Sequence, residues 1–382
     1  MQGPFEFQKQ IFDCVVGGVS ALDTQRLNIT SEDQARSFVS AYGYELSNET
    51  DRDQLWATHR RAVSMIQEHL LEVGESMPGE LTDPQKLQSI ERLLMIASYR
   101  DEGKNDQVSR DLQRWSCAIL RVMHVYVHLR NDLFSAFSDE IQNQILKPIQ
   151  DNIVADPAIG SITLGKSSAA SPIRLHKFEV KPFKTTASSV IKLLARPERV
   201  ALTLLDKLGV RFVTKSVYDS FRVIRFLNEN HIISYPHNIP DQSANTLYPI
   251  NIFQEAMKEL EAKYGSEPPD SGEVEAYLQR RLERAKERAE YVEKANEFSG
   301  KEYRFLKFIT RKLITVQIGS ADNVRDFRFF YPFEIQVMDY TTYVNNLSGP
   351  MAHDEYKRRQ TLKARDRVLG EIVKSTLKPE PS

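Results

Sequence analysis

Two short apolar runs, each carrying a single carboxylate, constrain this chain more than any other feature. The first, Leu204-Leu205-Asp206-Lys207-Leu208-Gly209-Val210-Arg211-Phe212-Val213, reads as a helix end, a tight turn and a short strand, with Asp206 at the junction. The second is Phe333-Glu334-Ile335-Gln336-Val337. Its period of two sends Phe333, Ile335 and Val337 to one face and Glu334 and Gln336 to the other. If these strands are neighbours, Asp206 and Glu334 can hold a divalent metal against a polyphosphate, because hard cations take oxygen ligands.

The rest of the chain divides around them. Residues 1–150 read as an all-helical domain. Ser31-Glu32-Asp33-Gln34 is a capping box, followed at helical spacing by Ala35, Phe38, Val39 and Tyr42, with Gly43 as the stop. Trp56, Ala62, Met65 and Ile66 mark a second helix. Asp83-Pro84 opens a third through Leu87, Ile90, Leu94 and Ala97. Leu112 to Phe137 is a long, apolar-striped helix. Residues 151–174, rich in small residues, Gly and Pro, read as a linker. An α+β domain is expected over 175–362. Phe178 and Val180 alternate there with Lys177, Glu179 and Lys181 as a strand, and helices follow at 186–194, 197–205 and 218–230. Residues 255–299 form a charge-dense helical insertion. Its thin stripe, Val274, Tyr277, Leu278, Leu282, Ala285, Ala289 and Val292, is expected to pack on its own chain. Two strands, 303–318 and 328–337, and a helix around 353–370 complete the domain, with 363–382 as helix end and tail.

Composition narrows the function. Among 382 residues there are two cysteines, Cys14 and Cys117, which excludes a disulfide framework or a Cys-rich zinc site and suits a reducing compartment. A formal net charge of −1 gives no global attraction to nucleic acid or membrane, so sequence-specific DNA binding is not expected. The N-terminus lacks a signal-peptide pattern, and the most apolar window, 118–129, is broken by Arg121, His124 and His128. A cytoplasmic protein is the expectation.

Gly160-Ser161-Ile162-Thr163-Leu164-Gly165-Lys166-Ser167 matches a phosphate-binding loop pattern literally. That loop needs a strand before it and a helix after it, and here Asp156-Pro157 precedes it and Ser171-Pro172 follows. We read it as coincidence. His124, His128 and Asp132 share one helix face at metal-ligand spacing, but the helix is core-like, so hydrogen-bonded, partly buried histidines are expected. Around Asp206 the signals accumulate. Lys177, Lys181, Lys184 and Lys192 precede it, and Lys184, Ser188 and Lys192 are spaced at four, as on one helix face. Such a group suits a triphosphate, and Arg211 lies close enough in sequence to serve the same site.

On these residues, positions 175–360 resemble the synthetase domain of the RelA/SpoT family, which makes the alarmones ppGpp and pppGpp. Lys184-Thr185-Thr186-Ala187-Ser188 with Lys192 resembles the family's basic segment. Asp206-Lys207-Leu208-Gly209-Val210-Arg211 resembles its Asp-Leu-x-(Gly/Ala)-x-Arg strand. Tyr303-Arg304-Phe305-Leu306-Lys307 resembles Tyr-x-Ser-Leu-His, Glu334-Ile335-Gln336-Val337 resembles Glu-Val-Gln-Ile, and His353-Asp354-Glu355-Tyr356-Lys357 resembles His-x-x-Tyr-Lys. The sequence departs from the family at Pro182, Lys301-Glu302, Phe305, Lys307 and Met338. Residues 1–150 do not show the His-Asp pairs of the family's hydrolase domain.

The resemblance implies a nucleotidyltransferase-like mixed sheet flanked by helices. It further implies Mg²⁺ on Asp206 and Glu334, with Glu334 also helping to deprotonate a 3′-hydroxyl. Lys184, Lys192 and Arg211 would hold ATP phosphates, and Tyr303 would stack on the acceptor guanine. Lys181, Ser188, Lys307, Gln336, His353 and Lys357 complete the implied nucleotide site. The expected activity is Mg-dependent transfer of pyrophosphate from ATP to a ribose 3′-hydroxyl of a nucleotide or RNA end. The alternatives are an inactive nucleotide-binding or interaction module on the same fold, with the helical domain docking a protein partner, and a structural protein in which Asp206 is a helix-end acid and Glu334 an exposed strand residue.

Overall fold

The computed structural model describes residues 12–101, 103, 106–130, 136–156, 160–165, 172–181, 186–196, 204–265, 269–293, 303–320, 323–347 and 353–376. In chain order the helices used below are α1 (Glu32–Ser40), α2 (Glu49–Met65), α3 (Pro84–Leu87), α4 (Ile90–Ile96), α5 (Gln107–Arg130), α6 (Ser138–Gln150), α7 (Thr186–Leu194), α8 (Val217–Glu229), α9 (Ile250–Tyr264), α10 (Ser271–Arg284), α11 (Tyr340–Leu347) and α12 (His353–Thr376). The strands are β1 (Ile153–Asp156), β2 (Ser161–Leu164), β3 (Ile173–Lys181), β4 (Gly209–Thr214), β5 (Ala244–Asn245), β6 (Leu306–Ser320) and β7 (Asn323–Asp339). The architecture is α+β, as expected, with a helical N-terminal region and one mixed sheet.

Two compact units form. The first comprises residues 1–132, 185–203 and 358–382, and the second 133–184 and 204–357. The first unit is therefore not the contiguous 1–150 expected from sequence. Its caps are legible all the same. Ser31 accepts from the Gln34 amide at the start of α1, and Asp83 accepts from the Gln85 amide ahead of Pro84. The helix expected from Pro84 to Ala97 breaks into α3 and α4, because Gln88 takes a positive φ of 71° and Ser89 starts a new cap. Side chains from the far end of the chain return to this unit. Arg365 bonds Leu70 O and Glu75, and Arg367 bonds Asp23 and the carbonyls of Leu193 and Leu194.

The second unit is a seven-stranded sheet in the order β1-β2-β3-β4-β7-β6-β5. All pairings are antiparallel except β4 with β7. Residues 151–174 are thus not a linker: β1 and β2 form an antiparallel pair joined to β3. Their few apolar residues, Ile153, Ile162 and Leu164, belong to the sheet core, which a count of Gly and Pro conceals. One sheet face is apolar throughout. Ile141, Ile145 and Ile149 of α6 and Val223 and Leu227 of α8 pack on Val210, Phe212, Phe333, Ile335 and Val337. The insertion is a helical pair, α9 and α10, with its own small core around Tyr248, Ile252, Val274 and Leu278, so its stripe packs on its own chain as expected.

A chain ended at residue 357 lacks Ala364, Val368 and Leu369, all buried, along with Arg365 and Arg367. Each of the two larger apolar side chains is worth about 1.5–3 kcal/mol when buried. The expected outcome is a lower melting temperature by circular dichroism and earlier proteolysis of the helical unit.

Candidate functional site

The sheet face opposite the apolar core is polar, and strand register explains why. Residues paired across a ladder point the same way. One row runs Lys181 (β3), Gly209 (β4), Glu334 (β7), Ile309 (β6). The next runs Glu179, Arg211, Gln336, Lys307. Phe178 and Val180, Phe212 and Val210, Ile335 and Val337 face the other way, into the core. Period two along four strands therefore gathers seven side chains and one glycine on a single surface.

The glycine sets the geometry of the first row. Lys181 and Glu334 lie two strands apart, with β4 between them. Gly209 has no side chain there, so the Lys181 ammonium crosses β4 and reaches Glu334 Oε1 at 2.6 Å. A Cβ on residue 209 would lie 2.9 Å from Glu334 O and 3.1 Å from Glu334 Cβ. The Glu334 amide also donates to Leu208 O at 2.9 Å, tying β7 to the turn that carries Asp206.

The contacts form one continuous network. Lys181 donates to Gln336 Oε1 at 3.0 Å, and Lys307 Nζ lies 3.5 Å from Glu334 Oε2. Arg211 donates through Nε to Gln336 Oε1 (2.9 Å) and through Nη1 to Glu179 Oε2 (2.9 Å). Lys177 Nζ lies 2.6 Å from Glu179 Oε1, and Tyr343 of α11 donates to the same oxygen at 3.3 Å. Glu334 is 6% exposed and Gln336 4%. The reading of Glu334 as an exposed strand residue is therefore wrong: it is a buried carboxylate that its strand neighbours neutralise. Burial pushes its pKa up, and Lys181 and Lys307 outweigh that, while the negative charge of Asp206 opposes them, leaving it at about 2. Glu179 is also pushed up by burial and held below the carboxylate range by Lys177 and Arg211.

Asp206 lies in the turn entering β4, half-buried, and its charge acts on Glu334. The helix expected over 197–205 falls partly outside the described residues, and Leu205 and Asp206 themselves lie in a turn. This donor set fits Mg²⁺ in the way that ion is ordinarily held, by one or two carboxylates completed by substrate phosphates and water. Among the described residues no group of three or more His, Cys, Asp or Glu side chains forms a metal cage.

The structure brings Lys181, Arg211, Lys307, Gln336 and Glu334 together in one network and sets Asp206 within electrostatic reach. Ser188 and Lys192 lie on α7 in the helical unit, Ser188 exposed and Lys192 buried. Lys184 lies outside the described residues. Tyr303 precedes β6, its ring 5.3 Å from that of Phe305. His353 and Lys357 begin α12, with Lys357 exposed. The phosphate-loop pattern is strand in its first half, where Ser161–Leu164 pairs with β1 and β3; Lys166 and Ser167 lie outside the described residues. His124 hydrogen-bonds Tyr42 Oη at 2.9 Å, as expected of a satisfied histidine, and its ring lies 4.3 Å from that of His128, tilted by 55°; Asp132 lies outside the described residues. Sequence reasoning missed Glu179 and Tyr343. The alternation of β3 places Glu179 beside Lys177 and Lys181 and could have flagged it, whereas nothing local marks Tyr343, which a separate helix delivers.

Among solved structures, the chain is similar to the small alarmone synthetase 2 of Bacillus subtilis, with 14% identity over 53% of this chain and 83% of that one and a TM-score of 0.20. It is also similar to a GTP pyrophosphokinase family protein of Streptococcus pneumoniae, with 14% identity over 64% and 95% and a TM-score of 0.21. Overlap at this level does not bear on activity. No family model and no curated protein matches the chain.

The depressed pKa of Glu334 fixes a sign for acid sensitivity. Its contribution to stability is complete above its ordinary value of 4.5 and is lost as pH falls towards about 2. In Lys181→Met, burial gains over the remaining ammonium and the carboxyl titrates at higher pH. We expect that variant to be less stable at pH 7 by about 1–3 kcal/mol and to lose stability at higher pH than the parent. Denaturant unfolding from pH 3 to 7 measures both.

Proposed function

We propose that the polar face around Glu334 binds ATP and carries out Mg-dependent transfer of pyrophosphate to a ribose 3′-hydroxyl of a nucleotide or RNA end. The observation that carries this reading is the buried, ionised Glu334 on β7, with two ammonium groups on its oxygens and within electrostatic reach of Asp206 in the turn entering the parallel partner strand β4.

Asp206 and Glu334 would hold the metal, which would polarise the ATP phosphates. Lys181 and Lys307 together carry the same charge as one Mg²⁺. They keep Glu334 ionised in its absence and would become phosphate ligands when it arrives. Arg211 is fixed by Glu179 and Gln336 with its guanidinium on the same face, which preserves its aim without a substrate. In the transfer, the 3′-oxygen would give up its proton to water and bond to the β-phosphorus as the α–β bridge breaks, and AMP would leave with the bridging oxygen. A carboxylate held near 2 is a weak base, which favours the metal-holding role of Glu334 over the proton-accepting role that the family resemblance implies.

The same ion pairs favour a second reading, in which nucleotide binds without turnover: Lys307 stands on Glu334 where the resembled family carries His. One assay separates them. Protein, Mg²⁺ and γ-³²P-labelled ATP are offered GDP, GTP, ADP, ATP and bulk tRNA in parallel and resolved by thin-layer chromatography. Transfer to one acceptor, lost by at least about a hundredfold in Asp206→Asn and Glu334→Gln, is the expected result. ATP binding with no transfer to any acceptor supports the second reading, and neither binding nor transfer removes both.

A further inference from the structure

The helical unit contains a cavity of about 510 Å³, in the range of pockets that hold small molecules. Its walls come from α1, α2, α4, α5 and the segment 21–29. Val39, Leu55, Ile90, Leu94, Met123 and Val127 give it an apolar interior. Among the described residues no acidic side chain lines it. The nucleotide reading makes no use of it, since every residue around it belongs to the helical unit.

Its polar lining comprises Thr24, Arg26, Asn28, Tyr42, Arg121 and His124, so both charged groups on it are cations. Arg121 lines the cavity and donates to Thr24 O at 2.9 Å and Val368 O at 3.0 Å. Both acceptors are neutral carbonyls, so neither compensates the guanidinium charge. Arg121 Nε is buried with no hydrogen-bond partner. A cation beside an apolar space favours an anion there. His124, on the same wall, accepts or donates only towards Tyr42, and burial followed by the charge of His128 lowers its pKa to about 4, leaving it neutral.

We propose that this cavity is a binding site for one small amphipathic carboxylate, its apolar body among the α1, α4 and α5 side chains and its carboxylate on Arg121. Decanoate is the probe and decanol its uncharged counterpart, each titrated calorimetrically into the full chain. The expected result is one decanoate bound per chain. Arg121→Met weakens decanoate by about tenfold, the loss of one charge-assisted hydrogen bond, and leaves decanol within about twofold. Arg121→Lys retains most of the decanoate affinity. Leu120→Trp, which fills the cavity, weakens both ligands. Thermal melts establish that each variant is folded. Absence of saturable decanoate binding overturns the proposal, as does an equal effect of Arg121→Met on decanoate and decanol, or indifference of both ligands to Leu120→Trp.

Discussion

A carboxylate in the middle of a sheet has to be neutralised where it stands, and the surroundings of Glu334 follow from that requirement. Its flanking residues, Phe333 and Ile335, are among the most deeply buried in the sheet, so β7 cannot move to bring Glu334 to water. Compensation comes from the strands beside it. Lys307 is supplied by β6, and Lys181 crosses β4 at the one position without a side chain. Gly209 therefore serves two ends at once: it allows close approach of β4 to β7 and leaves the gap through which the ammonium passes. The parallel pairing of β4 with β7 then places the Asp206 turn at the same end of the sheet as Glu334.

Much of this surface was legible in the sequence. Period-two alternation in 177–181 and 333–337 fixed which residues face the core and which face the polar side, and the paired apolar runs predicted adjacent strands. That alternation places Lys181, Glu334 and Gln336 on the polar side, whereas Arg211 and Lys307 entered the expected site through sequence proximity and the family resemblance. What the sequence hides is long-range. Tyr343 reaches Glu179 from a helix more than 160 positions away in sequence. The sheet membership of β1 and β2 rests on three apolar residues within a stretch that otherwise reads as a linker. Lys307 looks like a departure from the resembled family when read along the strand. Across the ladder it is a counter-ion to the buried Glu334 carboxylate.

The helical unit was harder to read because it is discontinuous. Local caps and apolar stripes located α1, α2 and α5, but nothing local says that residues 358–376 complete the same unit. Arg365 and Arg367 make that connection through specific hydrogen bonds to helix-end carbonyls and acids, which leave no periodic trace. The break at Gln88 is of the same kind: a single positive φ ends one helix and frees Ser89 to cap the next.

The central claim is that Glu334 holds a metal only when phosphate is present to receive Lys181 and Lys307. Manganese is a spin-active substitute for magnesium, and its binding is read directly by electron paramagnetic resonance. The account predicts weak Mn²⁺ binding by the protein alone. With a non-hydrolysable ATP analogue it predicts binding of one ion, tighter than by the analogue alone, and loss of that gain in Glu334→Gln. Equal binding with and without the analogue, or a gain that survives Glu334→Gln, would contradict it.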